Sequence, residues 1–272
     1  MIINHNVPAM DTNRNLSMNT NSVTRSLEKL SSGLRINKAA DDAAGLAISE
    51  KMRGQIRGLD MAAKNGQDGV SLIQTAEGGM QTIENMLQRM RELAVQSSND
   101  TNTSADRVQI QTEVAALISE VDRISTQSEF NTMKLLNGSY AGKHFHIGSN
   151  SNQSVSVNID AMMAASLGIA ATSIDLLSQG GANKAISTIQ LAIDSVSSAR
   201  AKLGAIQNRL EYSIEYLEVA SVNASAAESR IRDVNMAKEM MGFTKNNILV
   251  QSATAMLAQA NQQPQSVLSL LR

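Results

Sequence analysis

Hydrophobic positions recur along much of this chain at alternating steps of three and four. From Met52 the run reads Met52, Ile56, Leu59, Ala63, Gly66, Val70, Ile73, Ala76, Met80, Ile83, Leu87, Met90, Ala94. Such a stripe predicts one long helix of the coiled-coil kind, from about Asp42 to Ser97 and roughly 80 Å long at 1.5 Å per residue. Glycines at 54, 58, 66, 69, 78 and 79 weaken that helix locally, so tertiary packing has to compensate. The polar run Ser97–Thr103 predicts a turn, and Thr103 with Asp106 has the spacing of a capping box. A second helix follows, with Ile110, Val114, Leu117, Val121 and Ile124 on one face. From Phe130 the period falls to two, which predicts a small β element over roughly 130–160 with a hairpin turn at Asn137-Gly138. Residues 161–181 have no clear period. A third long helix is expected from near Ala182, striped from Ile186 through Ile214 to Val234, and antiparallel to the first if the β element caps one end.

The two ends are also striped, but they differ in kind. Near the start Leu16, Val23, Leu27 and Leu30 fall on one line; near the end Leu249, Ala253, Met256, Ala260, Val267 and Leu270 do the same. No charged residue lies between Asn246 and Leu271. A solvated helix normally carries charge on its outer face, whereas amides and hydroxyls suit a face that meets other helices. Burial by neighbouring subunits is the economical expectation, which makes these ten residues candidates for assembly contacts.

Composition narrows the picture further. Aromatics are only 2% of the chain, with no Trp, so the core must be built from aliphatic residues and the 15 Met, as narrow helix–helix seams allow. A net charge of −1 gives no electrostatic footprint for nucleic acid or an anionic membrane. With no Cys there is no disulfide framework, thiolate nucleophile or ordinary zinc site. The start of the chain lacks the basic and apolar regions of a secretory signal, and the uncharged end is too polar to span a bilayer. His144 and His146 share one face of a strand, but two ligands without a third make a weak metal site, and solvated strand histidines are the plainer reading. Ser26-x-x-Lys29 has serine–lysine spacing without a second motif. No convergent polar constellation for catalysis is visible, and no cofactor is implied.

The stretch Ser26–Asn37, continuing through Asp41–Ile48 and Arg89–Gln96, resembles the N-terminal signature of bacterial flagellin. Ala227–Val234, Lys245–Leu249 and Ala258–Gln262 resemble the C-terminal one. The resemblance implies a mainly α fold: a long antiparallel coiled-coil bundle with a small β-hairpin element. It implies an N-terminal helix of an inner layer called D0 over 1–33, a spoke linker over 34–46, a D1 rod over 47–232 and a C-terminal D0 helix over 233–272. It implies a non-enzymatic subunit of the flagellar filament, outside the cell, that polymerises with itself. Its other implied partners are a flagellar export chaperone, the cap and the hook-associated proteins, and its implied route is unfolded passage through the flagellar type III apparatus. Toll-like innate receptors of animals read the family's Gln-Arg-x-Arg-Glu-Leu-Ala-Val-Gln stretch, which here points to Arg89, Leu93 and, on the next helix, Glu113. Few residues separate the hairpin from the third long helix, so the outer domains of the family are expected to be absent or vestigial. The His-Glu-x-x-His motif that some relatives carry there is absent as well. The rival within the family is a hook–filament junction protein. A chemoreceptor-type coiled coil would share the stripes but need a membrane segment or a docking motif.

Overall fold

A computed structural model describes residues 5–270, with side chains through Gln263. Its elements in order are α1 (Val7–Ser32), α2 (Ala43–Ser97), α3 (Ser104–Gln127), β1 (Glu129–Phe130), β2 (Met133–Lys134), β3 (Lys143–His146), β4 (Ser154–Val157), α4 (Gln179–Arg232) and α5 (Met236–Leu270). The fold is mainly α with small antiparallel strand pairs, as the periodicity predicts. It divides into two compact units, one of residues 1–55 with 222–272 and one of residues 56–221.

In the 56–221 unit the first and third stripes run antiparallel. Ser221 donates to Asp60, Ile214 sits against Gly66, and Arg200 pairs with Glu77 and Glu84, so rising numbers on α2 meet falling numbers on α4. The core is continuous through Ile73, Met80, Ile83, Leu87 and Met90 of α2, Val114 and Val121 of α3, and Ile189, Val196 and Leu203 of α4. Here two of the α2 glycines find their reason. A Cβ on Gly66 would meet Ile214 Cγ1 at 2.8 Å, and one on Gly79 would meet Leu136 Cδ1 at 2.8 Å. Close approach of neighbours thus offsets the entropy these glycines cost the helix.

The capping box forms: Asp106 N–H donates to the Thr103 hydroxyl, and Thr103 N–H to Asp106 Oδ2 at 2.9 Å. The Thr103 hydroxyl and N–H together hold the Asp106 carboxyl below its ordinary 3.8. Asp41 is lowered likewise by the Lys38 and Asn37 N–H groups. A depressed folded pKa contributes stability that is complete above the unfolded value and is lost as pH falls through the folded one. Acidification below about pH 4 is therefore expected to fray the start of α3. Asp106→Asn should flatten that part of the acid melt, which amide exchange of the first α3 turn would register.

The β element holds two separate two-stranded ladders, β1–β2 and β3–β4. The turn of the first is Asn131-Thr132, both with positive φ (48° and 64°), and not Asn137-Gly138. Asn137 instead closes a local bend, its Oδ1 accepting from Ser139 N–H at 3.0 Å, with Gly138 at φ 86°. Residues 161–178 form no regular element, yet Met162, Ile169, Ile174 and Leu176 are fully buried. Side chains of the helices hold this segment by its backbone. Gln111 both donates to Ile174 O and accepts from Leu176 N–H, Ser97 donates to Leu176 O, and Ser125 to Met162 O.

In the other unit α1 and α5 pack along each other. Asn6 near the start of α1 donates to Ala260 O late in α5, while Leu34 bridges Asp233 at the other end, so the pair is antiparallel. Asn6 caps α1 by accepting from Ala9 N–H. Gly33 ends it in the left-handed conformation, φ 72°, as only a residue without a Cβ does at little cost. Among the described residues no helix is long and apolar enough to cross a membrane.

Candidate functional site

The assembly candidates sort by helix face. Along α1 the half-buried line includes Leu16, Val23 and Leu30, with Ser26 buried, while Leu27 is 55% exposed. Along α5 the half-buried line is Val250, Ala253, Leu257 and Ala260. Leu249 and Met256 stand one position off it, at 40% and 58% exposure. The side chains of Val267 and Leu270 lie outside the described residues. The expectation that the terminal stripes find no cover within their own chain is thus corrected in part, because the two uncharged stripes cover one face of each other. Sequence reasoning missed Val250 and Leu257. The signal was present, since 246, 250, 253, 257 and 260 keep the same three-four rhythm one residue over. What remains uncovered is an outward apolar set of Leu27, Leu249 and Met256, joined by Met10, Met18, Met240 and Met241.

Beside this pair, residues 33–50 and 228–234 are tied by polar contacts. Val234 N–H donates to Gly33 O, and Arg35 N–H to Arg232 O. Arg232 donates to Glu50 at 2.7 Å and to Ser49, and Ser49 to Glu228. The Arg232 hydrogen bond is the main cause holding the Glu50 carboxyl below its usual range.

On the 56–221 unit Arg89 and Glu113 come together as the resemblance implies. Arg89 Nε and Nη2 both donate to Glu113 Oε1, at 3.1 and 3.0 Å, and Nη1 reaches Glu92. The bond to Glu113, then that to Glu92, raises the guanidinium pKa. Leu93 does not share this surface. It is 2% exposed within the α2–α3–α4 core, so its place as a surface anchor is corrected: its phase on α2 turns it inward. The exposed apolar neighbour is Val95, which with Arg91, Glu92, Gln96, Gln190 and Ile193 lines an open groove of about 610 Å³. Among the described residues no three His, Cys, Asp or Glu side chains are grouped to hold a metal.

Residues 3–141 match the family model of the bacterial flagellin N-terminal helical region, and residues 186–271 that of the C-terminal helical region. The chain belongs to the bacterial flagellin family. It is a structural subunit of the flagellar filament, in a short form. The chain is 53% identical to a flagellin of Halalkalibacterium halodurans and 52% identical to a flagellar filament core protein of Treponema phagedenis, each over the full length of both chains. In fold it is similar to a structure described as a flagellar hook-associated protein from Vibrio parahaemolyticus, at TM-score 0.59 and 12% identity, covering 71% of this chain and all of that one. Flagellins are structural proteins that self-assemble.

Proposed function

We propose that this flagellin acts outside the cell as a non-catalytic repeating unit of the filament, packed through the outward faces of α1 and α5. The observation that carries the proposal is that Leu249 and Met256 are left exposed within an uncharged stretch of α5, as Leu27 is on α1. Exposed apolar surface of this kind, lacking charge, costs solubility in a monomer and stabilises a polymer. On this reading the α1–α5 pair belongs to the inner layer and the 56–221 unit to the rod. The chain leaves the cell unfolded through the type III apparatus, delivered by an export chaperone and placed by the cap and hook-associated proteins. Seeded polymerisation of the purified chain tests the assembly surface. Copy number in sheared filaments separates the filament subunit from a junction protein.

A second role is proposed for shed monomer: recognition by Toll-like innate receptors through Arg89 and Glu113. The fork they form is planar, charged and exposed, and arginine at such a position commonly anchors an interface. Arg89→Ala is expected to lower receptor reporter signalling at least tenfold while leaving the thermal melt in place, since the pair is exposed and exposed ion pairs contribute little to folding. Undiminished potency of a folded Arg89→Ala chain would remove the role.

A further inference from the structure

The β3–β4 ladder presents two contrasting faces. Phe145, Val155 and Val157 point inward, with Val155 and Val157 buried and the Phe145 ring against Gly69 of α2. His144 and His146 take the outward face, opposite Ser156 and Ser154 in the register. Both histidines are exposed, and among the described residues neither imidazole is engaged in a hydrogen bond or ion pair. Their backbone is held from below, where Asn65 Nδ2 donates to His146 O at 3.2 Å. The chain has three histidines in all, and two of them stand here.

We propose that His144 and His146 form a two-imidazole chelate for a divalent cation of the copper(II)–nickel(II) class. Residues two apart on one strand face lie about 6.5 Å apart at the backbone. Two imidazoles can close on one ion across that span, since metal–nitrogen bonds are about 2 Å long. The residues opposite are serines, whose small side chains leave that face of the ladder uncrowded. Borderline cations prefer imidazole, and affinity rises toward copper(II). Water completes the coordination, so the site is open and of moderate affinity, unlike a four-ligand structural site. The anchored ladder fixes the backbone that carries both ligands before the ion arrives, so only the side-chain rotamers are ordered on binding. The proposal rests on the ladder alone and does not depend on assembly. Where subunits do assemble, each contributes one chelate to the array.

The test is calorimetric titration of the folded full-length chain with copper(II) and, separately, nickel(II). Electron paramagnetic resonance of the copper form counts the coordinating nitrogens. One equivalent should bind. His144→Ala and His146→Ala should each weaken binding about tenfold or more and remove one imidazole from the spectrum, and the double variant should lose the site. Both side chains are exposed, so the variants should melt like the parent. His5→Ala should bind as the parent does. Absence of binding by the parent, survival of the site in the double variant, or its loss in His5→Ala overturns the proposal.

Discussion

A chain carrying Leu249→Asp and Met256→Asp is expected to melt as the parent monomer does and to fail at filament growth. The two residues are seven apart, two turns of α5, and therefore stack on one face. At 40% and 58% exposure they contribute little to the α1–α5 seam, whose own line runs through Val250, Ala253, Leu257 and Ala260. In a polymer that covers this face, each would bury apolar surface in a stretch that otherwise has no charge. A fully buried side chain of this size contributes roughly 1.5–3 kcal/mol, and half of that is a fair share for a residue already partly covered. Each 1.4 kcal/mol is about tenfold in an equilibrium constant, so losing both raises the critical concentration by about one to two orders of magnitude. An unpartnered carboxylate in the same layer adds its desolvation cost. Seeded elongation followed by turbidity and electron microscopy, beside calorimetry of the monomers, measures both halves. Filaments growing at the parent's critical concentration would show that this face of α5 stays exposed in the assembly.

What could be read from the sequence alone was what repeats locally. The three-four stripe from Met52 to Ala94 marks α2, observed as Ala43–Ser97, because a helix buried on one side must repeat its apolar residues near 3.6. Thr103 and Asp106 announce the α3 start because a capping box is a contact between residues three apart. The β1–β2 turn was not legible. Asn tolerates the left-handed region but a β-branched Thr does not favour it, so Asn131-Thr132 looks unlike a hairpin turn while Asn137-Gly138 looks like one. Residues 161–178 were illegible for another reason: their order comes from Ser97, Gln111 and Ser125, up to 79 residues away in sequence. At the candidate site the motif delivered Arg89, Leu93 and Glu113 together, but a motif does not say which way each side chain turns. Leu93 turns inward because α2 packs against two helices at once, which widens its buried face beyond a two-residue-per-heptad seam.

That inward turn makes Leu93→Ala a disruptive change within the stretch proposed for receptor recognition. Leu93 is 2% exposed and joins the cluster that contains Met90 and Ala94 of α2 and Ile110 and Val114 of α3. Truncating a buried leucine to alanine costs about 2–5 kcal/mol, through lost transfer energy and the cavity left behind. For a unit of this size each kcal/mol lowers the melting temperature by about 2–4 °C, so a fall of roughly 5–15 °C is expected by calorimetry of the monomer. A melt within a degree of the parent would mean that Leu93 is not packed as described. The same substitution would lower receptor signalling by loosening the surface that carries Arg89 and Glu113, which on its own would look like loss of a contact. Leu93→Met separates the two causes. It nearly conserves volume and costs under about 1.5 kcal/mol, so it should keep the fold, the Arg89–Glu113 fork and the signalling potency. If Leu93→Met melted normally and yet lost potency, Leu93 would itself be touched by the receptor, and the α2–α3 surface would have to open on binding.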